Sequence, residues 1–469
     1  MSFASLSFLC YLPIVFLIYW LFAKRLQWQN LFILSASYVF YGWWDWRFLI
    51  LIFITSLSSY VSGLALELHQ HRKIITGANI LFNLLILACF KYYNFFVDNL
   101  QAIAEAGGIS LDMPTLKLIL PVGISFYTFQ SLSYTIDVFR RRIPATHDPL
   151  AFFSYICFFP QLVAGPIERA SDLLPQMLHR RRFVYSDAVD GLRQMLWGFF
   201  KKLVVADNCA LAVNMIYDNW QHEGALTLAF GMVFFSFQIY GDFSGYSDIA
   251  IGVARLFGIH LSDNFRQPYF SRSIAEFWRR WHITLMTWFR DYVYIPLGGS
   301  RCGRWKSLRN TFLVFALSGL WHGANWTFIV WGLYHFLLFV PSILSGRQRA
   351  KNLPLPSYKD MPAMLLTFLL VTIGWVVFRA DSIGDAIGYL YRLATSVAEG
   401  NIGLLAVGKT AIVWCLLLII IEWSQRSKRH ALEFTGSLHT MYRWSIYYIL
   451  LFIIIFFHGE EQTFIYFQF

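Results

Sequence analysis

The chain has 469 residues, 57% of them hydrophobic and only 14% charged, with a formal net charge of +11. Soluble domains run at roughly half apolar and a quarter charged, so this composition excludes an ordinary soluble fold and asks for lipid. The cations lie in short loops between apolar runs, so cytoplasm-facing loops explain the positive balance and nucleic acid is not an expected partner.

The N-terminal stretch has no basic region before its apolar run and no clear small-residue cleavage site, which predicts a retained first span. Further apolar segments with the length or pattern of spans follow. Together they lie near 5–23, 29–44, 47–66, 74–96, 116–136, 187–217, 224–256, 309–320, 327–345, 361–378, 408–423 and 441–458. The prediction is an all-α, polytopic membrane protein with 11–12 transmembrane helices, in a single domain over 1–469. The aromatic content of 19% suits rings at headgroup level.

Charges orient the spans. Lys24 and Arg25 follow the first, and His69, His71, Arg72 and Lys73 follow the third. The loop after the fourth carries Asp98, Glu105 and Asp112, with no Lys or Arg until Lys117; Arg140, Arg141 and Arg142 follow the fifth. This alternation puts the N-terminus outside and the basic loops in the cytoplasm. The six cysteines are scattered, with neither metal-ligand spacing nor a disulfide framework, so no metal site is expected.

Two segments do not read as simple spans. Residues 149–166, broken by Pro160, Gly165 and Pro166 between basic flanks, read as re-entrant. Such backbone is tolerated at membrane depth only inside protein or against a wet cavity. Residues 309–345 also have basic flanks, with Arg304, Lys306 and Arg309 before and Arg347, Arg349 and Lys351 after. The chain therefore enters and returns, turning at GLWHGAN. The first arm is about a dozen residues, or ~18 Å at helical rise, which would hold His322 part-way through the bilayer.

An ionisable residue at that depth is costly and marks a functional site by default. His322 suits proton transfer near neutral pH. On a helical backbone Asn325, three residues on, would orient its ring. Trp321 and Trp326 would wall it, and Gly319 and Gly323 would admit a close neighbour. The alternative is a histidine satisfied by a carbonyl in a packed bundle.

Upstream, Ser273 and Glu276 form a capping-box pattern that starts a helix ending near Pro296. Trp278, Trp281, Leu285 and Trp288 recur at helical spacing, while Arg272, Arg279, Arg280 and Arg290 make the segment basic. It reads as an amphipathic interfacial helix. His282 lies on it, either serving one site with His322 or having no role. The arginines would grip a donor's phosphates or simply reflect the cytoplasmic bias. In FQIYGDFSGYSDIAIG (237–252), Tyr240, Asp242, Ser244, Ser247 and Asp248 would line a cavity or form a membrane-edge loop.

WHGANW with FWRRWHITL some forty residues upstream resembles the membrane-bound O-acyltransferase family. The likeness extends through YGWWDW, LPVGISFYTFQSLSY, FFPQLVAGPIER, QIYGDFSGYSDIA, DYVYIPLGGSR, GWVVFRA and FIYFQF. The match is close to the bacterial branch that includes the alginate and peptidoglycan O-acetyltransferases. The resemblance implies a ring of helices around a tunnel and transfer of an acyl group from a thioester to a hydroxyl. His322 and His282 would be catalytic, with Asn325, Trp321, Trp278, Arg279, Arg280, Tyr240 and Asp242 in support. It further implies acetyl-coenzyme A as donor substrate with no bound cofactor, a bacterial inner-membrane location, and a periplasmic esterase-like acetyltransferase partner. A D-alanyl transferase of the teichoic-acid type is the alternative. A transporter is a more remote one, since no internal repeat is visible.

Overall fold

The computed structural model describes residues 1–111, 113–116, 120–163, 165–346, 354–396 and 403–465, without the side chains of 403–407. Asp112, Lys117, Ala164, the cations Arg347, Arg349 and Lys351, and the last four residues of FIYFQF lie outside these. Among the described residues the regular elements are helices and no strand occurs. That follows from the solvent, because a helix satisfies its own backbone where water is absent.

The chain groups into two compact units, Met1–Ala188 with Val253–Leu261, and Val189–Gly252 with Ser262–Phe469. The first contains α1 (Leu6–Leu21), α2 (Leu26–Gly42), α3 (Arg47–Leu68), α4 (Arg72–Ala106) and α5 (Ile124–Phe139). It continues with α6 (Pro149–Cys157), α7 (Phe159–Leu162), α8 (Ala170–Leu178) and the start of α9 (Tyr185–Phe199). The 149–166 segment forms no span-length helix. Its chain breaks at Phe158, every residue from 151 to 163 is buried, and the Phe159 N–H freed by the break donates to Ser37 Oγ at 3.1 Å.

The second unit takes up the rest of α9, then α10 (Asp207–Asp218) and most of α11 (Ala225–Leu256). It goes on with α12 (Ile274–Arg280), α13 (Ile283–Phe289), α14 (Arg304–His322), α15 (Trp326–Leu344), α16 (Met361–Arg379), α17 (Ile383–Thr395), α18 (Gly403–Ser424) and α19 (Thr440–Phe457). Among the described residues six helices are long and apolar enough to cross a membrane: α3, α4, α11, α15, α16 with its preceding turn, and α19. Among the other apolar segments α1 is shorter, and α14 begins with a basic stretch. α11 is mostly buried, whereas α4 and α19 leave most of their apolar side chains uncovered. That is how helices facing lipid differ from one at the centre of a bundle.

α14 and α15 form the expected hairpin, but the first arm is longer than the sequence suggested. α14 has 19 residues, or ~28 Å at helical rise, nearly the full hydrocarbon thickness of roughly 30 Å. Arm length therefore does not argue for His322 at mid-depth; what the structure shows is that its neighbours enclose it. Glycines let the arms touch backbone to backbone. A Cβ on Gly319 would run into the Phe328 carbonyl, and one on Gly332 into that of Phe315. Gly332→Val should lower stability by about 1–3 kcal/mol, as overpacking does. The check is the thermal unfolding midpoint of the detergent-solubilised chain.

Candidate active site

Ser273 caps α12 as expected, its Oγ accepting the Glu276 N–H at 3.2 Å. Glu276 reaches back to the Arg272 N–H (3.0 Å) rather than to the cap residue. Its carboxylate also takes Arg272 Nε at 3.0 Å and Arg280 Nη2 at 2.6 Å. Burial alone would raise this carboxylate, but the two guanidinium groups outweigh it and hold Glu276 below the ordinary range. Arg280 is thus engaged with Glu276, while Arg279 is exposed and donates from Nε to the Ala275 carbonyl at 3.0 Å.

The single amphipathic helix expected over this segment is not what forms. α12 ends at Arg280, Trp281 is extended, and His282 is left-handed with φ +43°. For a residue with a Cβ that conformation costs roughly 1–2 kcal/mol, so something must hold it. The loop at 264–266 does. Ile283 N–H donates to the Asn264 carbonyl at 2.9 Å, and Arg266 N–H to the Arg280 carbonyl at 3.0 Å. Nor do the tryptophans form an interfacial stripe. Trp278 packs on Phe315 and Trp331, and Trp281 on Trp375, so both are core residues.

The kink sends the His282 ring inward, where 1% of the residue is exposed. It meets Phe243 edge-on at 4.7 Å and Trp321 at 5.8 Å, and Nδ1 bonds Asn264 Oδ1 at 3.0 Å. Burial lowers this imidazole to about 3, so it is neutral near pH 7. His322 ends α14 with 5% of its surface exposed. Its ring lies 5.0 Å from Trp321, 5.0 Å from Trp331 and 5.3 Å from Phe378. One indole, Trp321, therefore touches both imidazoles.

Three supporting residues fall elsewhere than expected. Asn325 does not orient His322, because the helix stops before it. Asn325 instead caps α15, accepting the Thr327 N–H at 3.0 Å and donating to the Asp381 carbonyl at 3.0 Å. Trp326 is half exposed, and the wall attributed to it is built by Trp331 and Phe378. Asp242 lies in a buried ion cluster, pairing with Lys202 Nζ at 2.7 Å beside Asp207, which pairs with the same ammonium at 2.8 Å. Its second oxygen accepts the Ile465 N–H at 2.6 Å.

Tyr240 does line a cavity, with Ser244, Ser247, Asp248, Lys201 and Asn264 among its neighbours. The cleft is polar and narrow, about 20 Å³, room for little more than one water. In its wall the Tyr240 hydroxyl donates to Glu422 at 2.8 Å, and Lys201 pairs with Asp248 at 2.6 Å. Among the described residues no three His, Cys, Asp or Glu side chains converge to hold a metal ion.

Sequence reasoning passed over Asn264, Lys201, Lys202, Glu422 and His335. The two lysines and Glu422 carried a usable signal, as charges inside apolar segments. His335 is fully buried edge-on to Trp278 (4.9 Å) and Trp331 (5.0 Å), and neither ring nitrogen has a hydrogen-bond partner among the described residues.

A body whose described elements are all helices, several of them long and apolar enough to cross a membrane, defines a class: a multi-pass membrane protein. Residues 36–376 match the model of MBOAT, the membrane-bound O-acyltransferase family. The chain is 41% identical over 390 residues to the "Probable alginate O-acetylase" of Pseudomonas aeruginosa, covering 82% of this chain and 73% of that one. It is 34% identical over 429 residues to the peptidoglycan O-acetyltransferase of Helicobacter pylori, covering 84% and 78%. To the teichoic acid D-alanyltransferase of Bacillus subtilis it is 31% identical over 292 residues, covering 56% and 70%. The chain belongs to the membrane-bound O-acyltransferase family and is an O-acyltransferase.

The ion cluster yields a stability test. Lys202→Met leaves Asp207 and Asp242 buried without their cation, and breaking such a pair costs about 3–5 kcal/mol. The variant should not accumulate as a monodisperse peak in size-exclusion chromatography. Adding Asp242→Asn, which keeps an acceptor for Ile465, should recover part of it.

Proposed function

We propose that the protein takes an acetyl group from acetyl-coenzyme A at the cytoplasmic face and delivers it to a hydroxyl on the far side. That delivery would serve O-acetylation of an envelope or extracellular polysaccharide. The observation that carries this reading is the contact of Trp321 with both His282 and His322, which gathers two buried imidazoles at one place. The acetyl donor is favoured over D-alanine because the two O-acetyl relatives match more than four fifths of the chain and the D-alanyl one 56%.

In the proposed reaction the hydroxyl oxygen attacks the thioester carbonyl carbon. A C–O bond forms, the C–S bond breaks, and the hydroxyl proton passes to the His322 imidazole and finally to the departing sulfur, giving a free thiol. A general base so placed is typically worth 10²–10⁴-fold. His282 positions the reacting groups beside it. The thioester approaches through the polar cleft at Tyr240, Lys201 and Asp248, which reaches Asn264 and through it His282. At about 20 Å³ that cleft must widen to admit a donor arm. Arg429 in its lining, with Arg426 and Lys428 close by in sequence, supports a cytoplasmic opening, and the same positive-inside bias supports a periplasmic N-terminus in a bacterial inner membrane. The acceptor hydroxyl belongs to a periplasmic esterase-like partner that hands the group to the polymer.

Proteoliposomes given labelled acetyl-coenzyme A outside or inside, with the partner opposite, test the scheme. His322→Ala should abolish transfer at normal protein levels, and His282→Ala should impair it by about 10²-fold or more. Transfer retained at the parent rate by either variant removes that residue from the site. Flux of label without an acetyl ester would mark a transporter, and preference for a D-alanyl thioester would select the other branch.

A further inference from the structure

We propose that Asn264 is a positioning residue that locks His282 in the Nδ1–H tautomer, so that Nε2 carries the lone pair and acts as a proton acceptor. The argument starts from hydrogen-bond polarity. Asn264 Oδ1 faces three groups: Thr284 N–H at 3.3 Å, Thr284 Oγ1 at 2.9 Å and His282 Nδ1 at 3.0 Å. A backbone N–H can only donate, so the atom it meets is the amide oxygen and not the nitrogen. The amide nitrogen accordingly points the other way and donates to Ser247 Oγ at 3.3 Å. Because Oδ1 only accepts, His282 Nδ1 must carry the proton. A neutral imidazole has one N–H, and here that proton is assigned to Nδ1.

The same asparagine fixes the backbone that presents the ring. Its carbonyl accepts the Ile283 N–H at 2.9 Å, one residue beyond the left-handed His282, and it is 1% exposed, so solvent does not compete. A strained residue held by one neighbour's side chain and main chain together is how a site fixes a reactive group. Within the acetyl-transfer reading, this assigns His282 a direction. In its neutral form it takes up a proton at Nε2, and it does not donate one from there to a developing oxyanion. Once protonated, its Nδ1–H still has Asn264 Oδ1 to receive it. The catalytic role rests on that reading, whereas the tautomer does not.

The full-length chain labelled with ¹⁵N-histidine in detergent tests this directly, with the His282 signals assigned by their loss in His282→Gln. Expected is a protonated Nδ1 and an unprotonated Nε2 near neutral pH; the opposite pattern overturns the proposal whatever the enzyme does. Asn264→Ala should lower kcat by about 10²-fold, the low end of general-base contributions. Asn264→Asp keeps an acceptor and favours the imidazolium, so it should keep the tautomer and move the acid limb of the pH–rate profile upward. Parent kcat in Asn264→Ala, or an unshifted profile in Asn264→Asp, would overturn the positioning role. Should Asn264→Ala fail to fold, the parent spectrum and Asn264→Asp still decide. The expected spectrum in a protein that transfers no acetyl group would leave the tautomer standing and remove the proposed function.

Discussion

The contact of α14 with α15 is a backbone contact, made possible by Gly319 and Gly332, and the position of His322 follows from it. Two helices that close bring the last residue of one beside the second turn of the other. Trp331 and Phe378 can then cover the imidazole that ends α14, and Trp321, one residue earlier, is left to reach His282. Side chains larger than hydrogen at those two glycines would push the arms apart and open the enclosure. The enclosure of His322 therefore depends on the missing side chains of Gly319, three residues before it, and Gly332, ten after it.

What the sequence disclosed and what it did not divide along the range of the interactions. The helical class, the hairpin turn at GLWHGAN and the Ser273 cap were legible because each is written in a short stretch of residues. The break at His282 was not, since nothing between Glu276 and Leu285 demands it. It is imposed by Asn264 and Arg266, which reach it through the fold. Asn325 was misread for a related reason. Its spacing from His322 suited a helix, but Gly323 is extended and Asn325 starts the next helix. The Trp278–Trp281 spacing likewise reports a buried face and cannot say whether lipid headgroups or protein cover it.

Buried charge in the second unit is handled by local pairing. Lys202 meets Asp207 and Asp242, Lys201 meets Asp248, and Glu276 meets two arginines. Each arrangement repays part of the cost of taking ions out of water, and each would become expensive if one member were removed. Lys202 also donates to the Gln462 carbonyl at 3.1 Å, and Asp242 holds the Ile465 N–H. The cluster thus ties the chain after α19 to the start of α10 and to α11. Asp242, expected in support of the site, is a member of this cluster.

The imidazoles are treated differently. They lie against aromatic rings, and His282 against a neutral amide, in place of a carboxylate. A carboxylate at the position of Asn264 would stabilise the imidazolium and raise the ring's affinity for a proton. An amide orients the ring without that bias, because it accepts the Nδ1 proton and carries no charge. The aromatic walls reduce competing water while leaving the ring neutral. Placing the ions in self-contained pairs and the histidines among neutral groups is one solution to a single constraint. In a low-dielectric interior, an unbalanced charge within reach of an imidazole would shift its protonation strongly.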